Sequence, residues 1–432
     1  MNHAPSTSPR PPEVAAAAAP ARKKGKRTDT RTVHRALSLM AAVVLLYIGV
    51  TGTAIQTLDL VALLGGADET NPTMQSINEG KFGNDGFSAV LESDWGAGAL
   101  PADVDVLGAL RRGLAAFHDT VPAGHPVYVE LRASGLRPLV QVGYVDPSAR
   151  PDPHLMGPKI AVAAFDPTSG ATAEALSPRS ATPPPSMRQS LKEWHRFWTL
   201  RDVPGVYVEF VSGLAMCVLI YTGLVMYFRL LRQRRKTGRG NLFWMAGEKL
   251  RSLHRVVSAM AAMLLVLVAA SGTWLGFESS WHTFIDRPVP VAPTRLEDAQ
   301  AARIASVGIA IFRNSEPATP IRALRARIYA DHEQAVVVTA GPVTRQRVFD
   351  VATGQEVGLS ESYYPASGFP LGMDVHEWVK HFHSGYLFGL PARVLDLLAG
   401  LALVFLSVSG LIMYFEMYRR RVRAGRKGAF WK

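Results

Sequence analysis

The stretch Arg31 to Gly52, RTVHRALSLMAAVVLLYIGVTG, decides the fold, because it recurs as Arg251 to Gly272, RSLHRVVSAMAAMLLVLVAASG. The histidine and the final glycine are 18 residues apart in both copies. At 3.6 residues per turn that is five turns, so His34 and Gly52 share one face of a helix about 27 Å long, as do His254 and Gly272. Composition alone gives two apolar runs their common Leu, Val and Ala. It does not give Arg-x-x-His-Arg-x-x-Ser at one end and Ser/Thr-Gly at a fixed distance, so the chain carries an internal duplication.

The chain has 432 residues, of which 48% are hydrophobic. That balance suits a few membrane helices joined to water-exposed domains. Four windows reach the roughly 20 apolar residues a bilayer core demands: Ala36 to Ile55, Val206 to Phe228, Val256 to Leu275 and Val394 to Phe415. The charges are distributed unevenly around them. The residues through Arg35, from Arg229 to Arg251 and after Phe415 together carry 23 basic and 4 acidic side chains, a net of +19, and the remainder nets −7. By the positive-inside rule both termini and the middle loop are expected in the cytoplasm, with the two long connections outside. Basic residues this close to spans are explained by anionic lipid, so no nucleic-acid partner is expected. Cys217, the only cysteine, falls in a span, which excludes disulfides outside and a C-x-x-C-H haem attachment.

Residues 1–35 are Pro-, Ala- and Lys/Arg-rich and predict a disordered basic tail. The first long connection predicts a helix over Val104 to Asp119, then strands over His125 to Arg132, Leu139 to Val145 and Ile160 to Phe165, ending in the turn Asp166-Pro-Thr-Ser-Gly170. The second repeats that plan: a helix over Leu296 to Phe312, strands over Ala323 to Tyr329, Ala335 to Thr339 and Arg345 to Phe349, and the turn Asp350-Val-Ala-Thr-Gly354. Each is an α+β module. The second and fourth spans also match. They open on Val203-Pro-Gly and Leu390-Pro-Ala and close on Tyr221-Thr-Gly-Leu-Val-Met-Tyr-Phe228 and Val408-Ser-Gly-Leu-Ile-Met-Tyr-Phe415. Just upstream lie Trp194-His195-Arg196 and His381-Phe-His383-Ser-Gly385.

These motifs resemble the PepSY-associated transmembrane family, iron-regulated inner-membrane proteins of bacteria that include ferric-siderophore reductases. His254-Arg255-x-x-Ser258 with Ser271-Gly272 is similar to the family's first-helix signature. His383-Ser-Gly385-Tyr-Leu-Phe-Gly389-Leu-Pro391 is similar to its last-helix signature Leu-His-Thr-Gly-x-x-Phe-Gly-x-Pro-Gly, with Phe382 and Ala392 as departures. The resemblance covers about residues 31 to 420. The fold expected is an α + β membrane protein, built from a duplicated helix, PepSY-like module, helix unit. Spans fall at 36–56, 205–229, 252–276 and 391–417, and external modules with interfacial segments at 57–204 and 277–390. A basic loop at 230–251 and a basic tail at 418–432 complete it.

With pseudo-twofold symmetry, His34 faces His254 near the cytoplasmic surface, and His195 faces His383 near the external one. Each pair can supply both axial ligands of a b-type haem, two haems in all. His381 competes with His383 for the external role. Gly52 and Gly272, five turns from their histidines, leave room for a flat macrocycle, or else allow close helix packing, the reading preferred for Gly49, Gly213 and Gly400. Arg35, Arg255 and Arg196 can pair with haem propionates or with lipid phosphate. Glu209 and Asp396 are expected in ion pairs with a neighbour such as Arg201 or Arg393, with a proton relay as the other role. Trp194 and Trp378 belong to an interfacial belt or flank a haem edge. His376 is expected at the surface or facing substrate.

The function expected is electron transfer across the membrane to an acceptor that the resemblance implies is a ferric siderophore. No G-x-G-x-x-G follows a strand, so the electrons come from a cytoplasmic donor or from quinol. The alternative is a non-enzymatic membrane-anchored PepSY protein that binds or restrains an envelope peptidase. A siderophore permease fits less well, since the spans contain no broken helices.

Overall fold

The structure, a computed structural model, describes residues 30–82, 88–90, 96–135, 137–146, 160–174, 186–197, 205–238, 249–284, 294–329, 331–341, 344–358 and 369–426. Residues 1–29 of the basic tail, with His3, and His154, Trp198 and Arg201, lie outside them, whereas residues 30–35, expected in the disordered tail, are helical and open α1. In chain order come α1 (Thr30–Leu64), α2 (Pro72–Phe82), α3 (Val106–Thr120), β1 (His125–Ser134), β2 (Arg137–Val145), β3 (Ile160–Phe165), β4 (Thr172–Ala173), α4 (Met187–His195) and α5 (Gly205–Lys236). The plan then repeats as α6 (Lys249–Phe284), α7 (Asp298–Ser315), β5 (Ile321–Tyr329), β6 (His332–Thr339), β7 (Gln346–Asp350), α8 (Met373–His383), a 3-10 turn (Tyr386–Phe388) and α9 (Gly389–Arg423).

Helices α1, α5, α6 and α9 are long and apolar enough to cross a membrane. At 1.5 Å per residue the 35 residues of α1 run about 52 Å, well beyond a hydrocarbon core of about 30 Å. Its ends therefore stand in the interface, which is where its polar side chains fall. Met40, Val43, Met260 and Met263 are all more than 60% exposed, an outward apolar surface that suits lipid and not water. The helices form a ring in which α1 packs on α9 and α5, and α6 packs on α5 and α9. Small residues line its core, including Ala41, Ala215, Ala261, Ala269 and Ala399. Gly213 against Thr273, Gly400 against Thr53 and Gly49 against Val404 bring the backbones together, the close-packing role expected of them.

The two α+β modules are not separate bodies. Their strands form one antiparallel sheet in the order β4-β3-β2-β1-β5-β6-β7, joined where β1 pairs with β5 in the register Tyr128↔Arg327, Glu130↔Arg325 and Arg132↔Ala323. The four-strand first meander and the three-strand second one would each leave β1 or β5 as an unpaired edge, and pairing the two satisfies both rows of N–H and C=O groups. Because the spans alternate in direction, both modules leave the bundle at the same end, here the sheet side; the start of α1, the end of α5, the start of α6 and the end of α9 mark the terminal side.

One sheet face carries Val129, Leu131, Val140, Val142, Leu324, Ala326, Ala335 and Val337 against α3 and α7. The opposite face is buried too, with an apolar cluster of Ala323, Val336, Val338 and Val348 against Ala89 and Val90, and polar side chains beside it. Glu130, fully buried, bonds Arg132 and Arg325, the latter at 2.7 Å. Burial pushes the Glu130 carboxyl up, but the two guanidinium groups outweigh it and hold the group below its ordinary value. The Asp turns form as expected. Asp166 Oδ1 accepts the N–H groups of Thr168 and Ser169 at 2.9 and 2.8 Å, and Gly170 takes φ +72°. Those bonds, Ser169 first, hold Asp166 at about 2. Asp350 accepts the N–H of Thr353, and Gly354 takes φ +70°.

Candidate functional site

A Ser/Thr-Gly dipeptide lies in each of the four spanning helices, and each meets one histidine from a different element. On the terminal side, His34 of α1 reaches Thr222 of α5, Nδ1 to Oγ1 at 2.8 Å, and His254 of α6 reaches Ser409 of α9 at 2.7 Å. On the sheet side, His195 at the end of α4 reaches Thr51 of α1 at 2.9 Å, and His383 at the end of α8 reaches Ser271 of α6 at 2.9 Å. On the sheet side the glycine after the hydroxyl makes room for the ring, and on the terminal side it lies at ordinary contact distance. A Cβ on Gly52 would stand 3.2 Å from His195 Cε1, and one on Gly272 would stand 3.0 Å from His383 Cε1. Gly223 and Gly410 meet His34 and His254 at 3.5 and 3.9 Å.

The hydroxyls bear on which nitrogen carries the proton. Each has one hydrogen and donates it to a carbonyl of its own helix: Thr51 to Tyr47, Thr222 to Val218, Ser271 to Leu267 and Ser409 to Leu406. With the hydroxyl hydrogens placed on those carbonyls the oxygens accept from the imidazoles, an arrangement that matches the tautomer carrying its proton at Nδ1. A neutral ring protonated at Nδ1 keeps its lone pair at Nε2, the state in which imidazole binds a metal. His195 and His383 lie within electrostatic reach of each other, as do His34 and His254. The pairs expected from the duplication are thus brought together, one at each end of the ring.

The structure sets Gly52 and Gly272 against the histidines of the sheet-side pair. Gly52 and Gly272 clear the edge of the imidazole itself and so fix where the ring sits. His381 does not share the position of His383: its ring lies against Tyr386, with Nε2 3.8 Å from Glu377. Arg255 donates to the carbonyl of Arg251, and Arg35 lies near Tyr414 of α9. Arg196 follows His195, within reach of Glu209 and Lys380. Trp194 and Trp378 are half exposed, and Trp378 stacks on Phe382.

The ion pairs also differ from expectation. Arg393 bonds neither Asp396 nor Glu209 but fully buried Asp59 of α1, which also takes Arg188 of α4 at 2.5 and 3.1 Å. Asp396 packs against the backbone of Gly385, the left-handed residue (φ +68°) that ends the turn after His383, and its Oδ2 is buried without a hydrogen-bond partner among the described residues. Phe197, at the matching place after His195, also takes a positive φ, +51°. His376 is not a surface residue: its Nδ1 lies 2.8 Å from Oε2 of fully buried Glu278, and its ring stacks on Phe369. His118 and His332 bond Asp298 and Asp350 in the sheet module. Among the described residues there is no group of three or more His, Cys, Asp or Glu able to hold a metal ion. The histidine pairs are a different donor set, suited to a metal whose other ligands come with it.

The repeated Ser/Thr-Gly dipeptide was the available signal for Thr51, Thr222, Ser271 and Ser409. Asp59, Arg188 and Glu278 had none, because each depends on contacts more than 90 residues apart. The family model for the PepSY-associated TM region matches residues 31–416. Among curated proteins none matches the chain.

Proposed function

Taking as premise that the chain belongs to the PepSY-associated transmembrane family, we propose that it is a two-haem electron-transfer protein of a bacterial inner membrane, delivering electrons to an acceptor on the sheet side. The observation that carries this reading is the fourfold hydroxyl–Nδ1 contact, two at each end of the ring; with the histidines as donors, it would leave each Nε2 available to a metal. His34 with His254 would hold one b-type haem, and His195 with His383 the other. Hydroxyl orientation of axial imidazoles is the outer-shell device that raises ligand basicity and restricts ring rotation. A bound haem supplies one-electron chemistry. The chain supplies its ligands, a dry apolar bundle around them and, at Arg35 and Arg255, positive charge beside the terminal-side pair.

Basic residues flank the terminal side and the sheet side is net acidic, which supports a cytoplasmic location for both termini and an external sheet. The acceptor proposed is a ferric siderophore, because Fe(II) is bound far more weakly than Fe(III) by hard oxygen ligands and one electron therefore releases it. The donor is a cytoplasmic reductant or a membrane quinol. The test is a visible spectrum of the full chain, purified after expression with adequate haem. A b-type α band on dithionite reduction, with two haems per chain, is expected; a reduced spectrum without that band rejects the proposal.

A further inference from the structure

The duplication is imperfect at one buried position. His195 and His383 correspond, and seven residues before each, two helical turns or about 10 Å, stand Arg188 and His376. Both reach across to a fully buried carboxylate on the long helix beside them, Arg188 to Asp59 of α1 and His376 to Glu278 of α6. The first half therefore fastens its ligand-bearing helix with a permanent cation. The second half uses an imidazole in place of the guanidinium.

The neighbouring charges make the Glu278–His376 couple stand apart. On α8, Lys380 bonds Glu377, which also lies 3.8 Å from His381. On α9, Arg393 is bonded to Asp59 and lies near Asp396. On α5, Glu209, whose backbone packs on Gly276, feels Arg196. Each of those carboxylates has a fixed positive charge within reach. Glu278 has His376 as its hydrogen-bonding partner, and its other oxygen, Oε1, is buried without a hydrogen-bond partner among the described residues. A buried carboxylate and one imidazole form a neutral unit when they share one proton and a unit of charge −1 when they hold none. Desolvation disfavours the charged state unless a compensating charge is near.

We propose that Glu278 and His376 are a redox-linked proton site for the sheet-side histidine pair. This rests on the haem reading above. A ferric bis-imidazole haem core carries +1 and a ferrous one 0. With the couple at −1 beside the ferric state and at 0 beside the ferrous state, the local sum stays at zero. In balance, the couple would take one proton from sheet-side water for each electron that a haem held by His195 and His383 received from one held by His34 and His254. Passing the electron to the acceptor reverses the proton step. At an effective dielectric of about 20, one charge about 10 Å away changes the reduction equilibrium roughly tenfold.

The experiment is a potentiometric titration of the His34→Ala protein, which keeps only the sheet-side haem, between pH 5.5 and 8.5. The midpoint potential is expected to fall as pH rises by a total of about 59 mV, the tenfold shift converted for one electron. In Glu278→Gln and His376→Gln added to that background the dependence is expected to vanish. A pH-independent potential, or an unchanged slope in both variants, overturns the proposal and leaves the haem reading standing; absence of haem from the wild type removes both. Redox-difference infrared spectra give a second readout. A carboxyl band that changes on reduction in the wild type and is missing in Glu278→Gln is expected, and a difference spectrum unaltered by Glu278→Gln rejects the site.

Discussion

Gly272 of α6 lies so close to His383 of α8 that a Cβ would stand 3.0 Å from its Cε1 and 3.6 Å from its Nδ1. A side chain there must move the ring. Gly272→Leu is therefore expected to lose the sheet-side haem while keeping the other, and Gly52→Leu, against His195, to do the same. Haem stoichiometry and the α-band spectrum of each variant check this. Retention of both haems would show that the rings do not need the clearance.

The pairing predicts which haem each histidine holds. His34→Ala and His254→Ala should each remove the same haem, and His195→Ala and His383→Ala the other, whereas His381→Ala should retain two. Spectra and redox titration of the five variants are the measurement. Loss of both haems in every variant would contradict two independent sites.

The hydroxyls act through the imidazoles. Thr51→Ala or Ser271→Ala removes the acceptor of an Nδ1–H, and outer-shell changes of this kind typically cost about 10- to 100-fold in metal affinity or activity. Weaker haem retention and a changed midpoint potential for the sheet-side haem are expected, with recovery in Thr51→Ser. A structural loss alone would not distinguish Ser from Ala in the potential.

In the sheet, Glu130 sits between Arg132 and Arg325 with no access to water. Its folded pKa is depressed below the unfolded value of about 4.3, so its contribution is present above that pH and is lost as pH falls through and below it. Glu130→Gln leaves two buried guanidinium groups without their carboxylate, and breaking a buried pair costs about 3–5 kcal/mol. Thermal unfolding of the detergent-solubilised chain should show a lower midpoint at pH 7 and a flatter dependence between pH 3 and 6 than wild type.

Asp59 compensates two guanidinium groups at once and ties α1, α4 and α9 together. Asp59 stands eight residues beyond Thr51 along α1, so Asp59→Asn is expected to destabilise the protein by a similar amount and to loosen the contact of Thr51 with His195 of α4. Reduced haem content at the sheet-side pair alone, with the terminal-side haem intact, is the expected result.

The sequence alone determined the architecture at the level of elements. Apolar length specifies a span, alternation specifies a strand, and the Asp-x-x-Thr-Gly turns carry their own caps, all local properties. The duplication extended this to histidine pairing, because symmetry-related residues occupy related places whatever the detailed packing. Tertiary structure alone decided the contacts that cross between elements: the β1–β5 junction that makes two modules one sheet, the choice of His383 for the contact with Ser271, and the partner of Arg393. The reading of Gly52 shows the boundary between the two. Its five-turn spacing from His34 is a helical repeat, legible in one dimension, but what it makes room for is the ring of His195, which is 143 residues away in the chain and adjacent only after α4 has packed on α1.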